Sequence, residues 1–430
     1  MEKTDKRYQA YVDILRQELV PAMGCTEPIA LAYAAAIARD TLGAMPDRVR
    51  IQASPSFIKN VKSVIVPNTG NLKGMPAAAA AGIVAGAAEK KLEVISEVTP
   101  QQREEMQVFL KQTAFEQEML DTEHAFEVVV TLFRGEDSAM VHLLDHHTNL
   151  VRIEKNGQVV MEGSGNCADT QLPEYDRSLL NMEDIYDFIT TMDVEDVRAI
   201  LDQQIACNTA ISDEGLRNSY GANVGKVLLN AYGNDVRNRA KARAAAGSDA
   251  RMSGCEMPVV INSGSGNQGI TCSIPVIEYA NELNASQEQL YRALALSNLT
   301  AIHLKTGIGT LSAYCGAVSA GASAGAGIAY LTEGSFDVVK HTVVNALAVV
   351  SGILCDGAKP SCAAKIAASV DGAILALDLY RQGQQFYNGD GIVLKNIEET
   401  INGVGLIGKY GMRSTNEEII NLMLGGACPN

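Results

Sequence analysis

Residues 306–332 read TGIGTLSAYCGAVSAGASAGAGIAYLT, a long uncharged stretch built mostly of Gly, Ala and Ser. It has too few large apolar side chains for a membrane span. Small residues instead let helices approach closely, so the stretch predicts a tightly packed, buried helix. Working outward, residues 268–283, 286–301, 337–353, 361–380 and 415–425 also suit helices, as do 182–206 and 215–246. Gly- and Asn-rich joints separate them, and no tandem repeat of fixed period is present. From about residue 175 onward the chain reads as one compact helical body.

Upstream the texture changes. Tyr8, Tyr11, Val12, Leu15 and Leu19 recur at helical spacing over residues 5–20. In MGCTEP, Thr26 is read as the N-cap of a second, Ala-rich helix reaching to about Arg39. Between about 47 and 165, VRIQAS, VKSVIVP, LEVISEV, FEVVVTLF and SAMVHLL read as strands. Residues 75–89 and the run after Thr99-Pro100 read as helices. Asn156-Gly157 marks a hairpin turn. The fold class is therefore α+β and predominantly helical. Its expected parts are N-terminal helices at 1–44 packed on the helical body, an α+β subdomain at 45–170, and the helical domain at 171–430.

Charge and composition narrow the function. The 430 residues are 47% hydrophobic and carry a formal charge of −15. Such a chain repels nucleic acid and anionic lipid, so no nucleic-acid or membrane partner is expected, and small molecules are the better partners. The charged N-terminal residues lack the apolar centre of a signal peptide, which suggests a cytoplasmic protein. A homodimer is the default expectation for assembly. With nine cysteines and no export signal, structural disulfides are not expected.

Cys315, Cys355 and Cys362 form the informative cysteine group. C-x6-C with a distant third Cys is no recognised zinc or ferredoxin run, and three small buried core residues would look the same. Two details favour a shared metal. Cys355 sits in CDGAKP, a turn rather than a helix interior, and Cys315 has small neighbours that leave room for an inorganic cofactor. Soft thiolates suit an iron–sulfur cluster.

Other segments could hold a substrate. NSGSGNQGITCSIP (residues 262–275) carries Ser263, Ser265, Asn267 and Gln268 just before a predicted helix, where backbone N–H groups favour an anion such as a carboxylate. A plain turn fits the composition nearly as well, and the spacing is not a dinucleotide fingerprint. FIKNVKSVIVPNTGNLKG offers Lys59, Asn60, Asn68 and Thr69. Cys25, just before the expected N-cap, sits where a helix N-terminus lowers a thiol's pKa, although a buried small residue fits the position too. His303 is a second candidate base or a hydrogen-bonded core histidine. His146 and His147 read as structural.

GCTEPIALAYAAA, SPSFIKNVKSVIVPNTGNLKG, NSGSGNQGITCSIPV, GILCDGAKPSCAAK and GLIGKYGMRSTNEEI together span residues 24–419. In these stretches the chain resembles the iron–sulfur L-cysteine desulfidase family, long carried as an uncharacterised YhaM-type family and related to the α part of iron–sulfur L-serine dehydratases. The resemblance implies a serine-dehydratase-α-like helical catalytic domain and a [4Fe-4S] cluster held by Cys315, Cys355 and Cys362. It implies a functional Cys25, taken as the base that removes the α-proton, with Cys25, Cys428 or solvent left open as the fourth iron ligand. It places Asn60 and Asn68 near the substrate, and the loop reading above adds Ser265, Asn267 and Gln268 as substrate-binding candidates. The expected reaction is α,β-elimination of L-cysteine to pyruvate, ammonia and hydrogen sulfide. The interval between the last two ligands is shorter than in serine dehydratases, and their CDP triplet is CDG here. That departure leans toward cysteine and keeps L-serine as the alternative. Two further alternatives are a non-enzymatic cluster-bearing cysteine or redox sensor and a pyridoxal-phosphate lyase, for which no strand–loop signature is found.

Overall fold

The computed structural model describes residues 1–163, 176–309 and 311–424. Helix α1 (Lys6–Glu18) is capped by Asp5, whose carboxylate accepts from Arg7 N–H. Its buried Tyr8 and Tyr11 meet Phe188 edge-on. Strand β1 (Pro21–Met23) leads into α2 (Thr26–Leu42), which ends at Gly43 in the left-handed region. Cys25, not Thr26, holds the N-cap position: its backbone is extended and Thr26 is already helical.

Strand β2 (Arg48–Ala53) alternates half-buried and buried side chains, as its sequence predicts. The expected strand VKSVIVP does not form. Val61 ends a short helix, α3 (Pro55–Val61), which Pro55 opens because proline suits the first helical turn, and the residues after it form only an isolated bridge between Ile65 and Lys73. The following turn is set by positive φ at Asn68 and Asn71. After α4 (Gly74–Ala85), LEVISEV also fails to pair: residues Ala88–Glu93 form a 3-10 turn, and Val94, Ile95 and Val98 are simply buried. In both places apolar residues seek the core without a ladder. Helix α5 (Pro100–Gln112) starts with a Thr99–Gln102 capping box.

Strand β3 (Ala114–Met119), unexpected from sequence, pairs parallel to β2 at the sheet edge. Strands β4 (Glu127–Arg134), β5 (Asp137–Leu144), β6 (Leu150–Lys155) and β7 (Gln158–Glu162) complete the order β3-β2-β4-β5-β6-β7. The β6–β7 turn is Asn156-Gly157, both at positive φ. Helix α2 packs on this sheet and on α4, not among the later helices as expected from sequence.

The helical body follows. It contains α6 (Met182–Thr191), α7 (Glu195–Arg217), α8 (Val224–Tyr232), α9 (Val236–Met252), a strand β8 (Pro258–Val260) and α10 (Gly266–Glu282). It continues with α11 (Gln287–Ile308), α12 (Gly316–Thr332), α13 (Phe336–Val350), α14 (Cys362–Arg381), α15 (Ile397–Leu406) and α16 (Arg413–Leu424). The two long helices expected at 182–206 and 215–246 are each broken, the second at Gly221 and Gly233, which take positive φ. The predicted small-residue helix is α12. It packs against α10, α11, α13 and α14. A Cβ on Gly321 would lie 2.7 Å from Ser369 Cβ, and one on Gly325 2.9 Å from Ala373 Cβ, so the sequence is small because α14 is close. Among the described residues no helix is long and apolar enough to cross a membrane.

The two large apolar cores among the described residues lie one among the helices and one under the sheet with α2 and α4. Strand β1 pairs antiparallel with β8, which ties the start of α2 to the segment before α10.

Candidate functional site

Where the two cores meet lies a cavity of about 260 Å³. Its wall takes Cys25 and Glu27 from α2, Asn60 from α3, His147 from the β5–β6 turn and Arg251 from α9. Ser263, Ser265, Asn267, Gln268, Lys305 and the three late cysteines also line it.

The late cysteines come together through backbone pairing. An isolated antiparallel bridge joins Tyr314 to Leu354. Cys315 N–H donates to Ile353 C=O (3.1 Å) and Cys355 N–H to Ala313 C=O (2.7 Å). This sets Cys315, the N-cap of α12, beside Cys355, and Cys362 opens α14 close by. The Cys315 thiol donates to Cys355 and lowers the Cys355 pKa to about 5 against burial, helped by Lys59, Gly357 N–H and Lys305. Cys315 itself is pushed up by that bond and by burial. Burial lowers the Lys59 and Lys305 ammonium pKa values. Three soft sulfurs with cations beside them fit a thiolate-held anionic cluster. Among the described residues no three His, Cys, Asp or Glu groups converge as for one metal ion. A cubane makes a different demand, since each thiolate binds its own corner iron.

Cys25 departs from expectation. Its thiol donates to Glu27 Oε2 (3.0 Å) within the first turn of α2. Burial and the Glu27 charge push the thiol well above its ordinary pKa, so it is not the low-pKa thiolate that the helix N-terminus suggests. Burial opposes the charge on Glu27, but His147, the Cys25 thiol and the Asn60 amide (2.9 Å) outweigh it and hold the carboxyl low. His147, read from sequence as structural, lines the cavity, and burial favours its neutral imidazole.

Among the described residues several polar atoms around the cavity are buried without a hydrogen-bond partner: Asn60 Oδ1, His147 Nε2, Arg251 Nε, Asn267 Oδ1 and Gln268 Oε1. Leaving such groups unpaired costs about 1–3 kcal/mol each, so their clustering marks a place for a polar ligand. Ser265 is already used as the α10 N-cap, accepting from Gln268 N–H (3.5 Å).

Two expected residues lie elsewhere. Asn68 does not line the cavity. It sits at φ 61° and donates its amide to Ile95 C=O (2.8 Å), holding a turn. His303 is paired with Glu398 (2.8 Å), whose other oxygen accepts from Met182 N–H at the start of α6, so it ties helices together. Cys428 lies outside the described residues. The sequence reading passed over Glu27, His147, Arg251 and Lys305. Glu27 carries a signal, being inside GCTEP, and Lys305 lies close to Cys315 in the chain. Arg251 carried none.

The serine dehydratase alpha chain family matches residues 89–421. A UPF0597 protein of Desulfitobacterium hafniense is 55% identical over 99% of this chain and 98% of its own length. One of Lachnoclostridium phytofermentans is 52% identical over 97% and 100% respectively. One of Treponema denticola is 46% identical over 99% and 100%. The predominantly helical α+β architecture agrees with these matches, and the chain belongs to the serine dehydratase alpha chain family, among its UPF0597 proteins.

Proposed function

We propose that this protein is a carbon–sulfur lyase that eliminates the β-substituent of L-cysteine, using a [4Fe-4S] cluster held by Cys315, Cys355 and Cys362. One observation carries the reading: three cysteines from distant segments share a cavity with unpartnered polar groups sized for a small zwitterion. When bound, the cluster supplies an iron with an open coordination position, a Lewis acid that makes the β-sulfur a better leaving group. The free N–H groups at the α10 N-terminus bind the carboxylate. The unpaired amide oxygens of Asn60, Asn267 and Gln268 accept from the ammonium. Cys25 takes the α-proton on its sulfur as its own proton passes to Glu27 Oε2, so the pair acts as one base. The Cα–H electrons form the Cα=Cβ bond, and the Cβ–S pair leaves with sulfur as hydrosulfide. The resulting 2-aminoacrylate tautomerises to an imine, and water converts that to pyruvate and ammonia.

The family match favours a second reading, dehydration of L-serine by the same groups. Anaerobic reconstitution with iron and sulfide, followed by sulfide release from L-cysteine and pyruvate formation from L-serine, separates the two. Faster turnover of L-cysteine is expected. A reconstituted cluster with no turnover of either amino acid overturns the lyase reading and leaves a cluster-bearing sensor.

A further inference from the structure

Arg251 sits in the last turn of α9 and is 3% exposed. Among the described residues its side chain makes no ion pair and no hydrogen bond, and its Nε is buried and unsatisfied. A buried guanidinium without an anion is costly, and a helix C-terminus offsets only part of that cost. The side chain turns inward rather than toward solvent. A Cβ on Gly266 would overlap Arg251 Nε and lie 2.9 Å from its Cζ, so the guanidinium rests on the first turn of α10. The first N–H groups of that turn have no partner within the helix, and Asn267 and Gln268 beside them line the cavity. Glu27 lines the same cavity, but its oxygens are taken by Cys25, Thr26 and Asn60, and no ion pair joins it to Arg251.

We infer that Arg251 anchors the α-carboxylate of the substrate in a two-point fork, held in place against Gly266, whose missing side chain leaves room for the guanidinium. This rests on the reading of the cavity as an amino-acid lyase site. A fork of parallel N–H donors matches a carboxylate, and the α10 N-terminus adds to the same charge. The unpaired oxygens of Asn267 and Gln268 then meet the ammonium. Gln268 fixes the orientation: a Cβ on Gly316 would lie 2.7 Å from its Cδ, so it packs next to Cys315. The β-substituent therefore points to the cysteine cluster, and a free α-carboxylate becomes a requirement. Amines and carboxyl esters of cysteine are excluded as substrates.

The test is calorimetric binding of two unreactive probes to the anaerobically reconstituted full chain. L-Alanine has the carboxylate and no leaving group, and 2-aminoethanethiol has the thiol and no carboxylate. Arg251→Gln should weaken L-alanine roughly 10- to 100-fold, the worth of a charged hydrogen bond, and leave 2-aminoethanethiol unchanged. Gly266→Ala, which keeps the charge and displaces it, should weaken L-alanine in the same sense, and Arg251→Lys should fall between. Should Arg251→Gln not fold, the other two variants decide. Unchanged L-alanine affinity in the folded variants, or an equal loss for both probes, overturns the anchor. These measurements need no turnover. A wild type that binds L-alanine through Arg251 yet releases neither sulfide nor pyruvate sinks the lyase reading and not the anchor.

Discussion

The Sγ of Cys25 lies 3.0 Å from Oε2 of Glu27, both side chains buried in the first turn of one helix. A thiol at a helix start would ordinarily be acidic, yet here burial and, after it, a carboxylate two residues away reverse the effect. The pair therefore shares one proton, which rests on the sulfur while Glu27 stays ionised.

The Glu27 charge raises the Cys25 pKa, so removing it must lower that pKa while burial keeps it above normal. Only the thiolate reacts with alkylating reagents, and each pKa unit is a tenfold change in thiolate fraction. In cluster-free protein at fixed mildly alkaline pH, Glu27→Gln should speed iodoacetamide labelling of Cys25 by about 10-fold, read by peptide mass spectrometry. Equal rates in wild type and variant would show that Glu27 does not control the thiol.

Cys355 separates cluster binding from folding. Its backbone N–H, not its sulfur, makes the bridge to Ala313, so Cys355→Ser keeps that pairing. The variant should retain the far-UV dichroism of the wild type. After reconstitution it should lose the brown cluster absorbance, and elimination activity should drop by more than about 100-fold, beyond what loss of an outer partner costs a metal site. Full cluster content in the variant would remove Cys355 from the ligand set.

How much of this was legible in sequence differs by element. The small-residue run at 306–332 gave α12 because its composition has one physical use, close helix packing. The strands expected at 61–67 and 92–98 had the right apolar content but no ladder beyond the isolated Ile65–Lys73 bridge, and a ladder is a tertiary fact. Strand β3 escaped notice because its side chains are mostly exposed at a sheet edge, which erases alternation. In the site, cysteines and Gly-flanked amides announce themselves by type and spacing. Arg251 does not, since an arginine ending a helix is ordinary, and only the absence of an anion beside it marks it out.

The crossing of α2 and α4 should tolerate no added methyl at Gly82. A Cβ there would lie 2.7 Å from Ala32 C and 2.8 Å from Ala32 Cα, both backbone atoms that have no rotamer to retreat into. Gly82→Ala should destabilise the chain by about 1–3 kcal/mol despite alanine's better helix propensity. A lowered melting temperature checks this, and a raised one would mean that the helices separate easily.

Asp249 gives a pH signature. Burial lifts its carboxyl to about 6, against backbone donors at Ala222, Val224 and Gly225 and the Lys226 charge. The folded protein thus holds a proton that the unfolded chain releases at lower pH. That contribution to stability is complete below the ordinary aspartate pKa and is lost as pH rises through about 6. Asp249→Asn should melt with a flatter pH dependence over this window and gain on wild type at neutral pH. Parallel melting curves for the two proteins between acid and neutral pH would contradict the assignment.

Lys59 links the C-terminal helix to the cysteine site. Its Nζ donates to Asn416 Oδ1 of α16 (2.6 Å) and to Cys355 C=O (3.3 Å), and the Asn416 amide donates to Ser56 Oγ (3.1 Å). Lys59 is 3% exposed, so losing Asn416 leaves a buried ammonium with one long bond. Asn416→Ala should cost about 1–3 kcal/mol locally, concentrated where α16 meets α3. Backbone amides of residues 413–424 should then exchange with deuterium faster, while those of α12 keep their protection. A reconstituted cluster should also bleach faster in air, because Lys59 joins α16 to the Cys355 backbone. Unchanged exchange in α16 would mean that its apolar contacts suffice and that the Lys59–Asn416 bond serves the lysine alone.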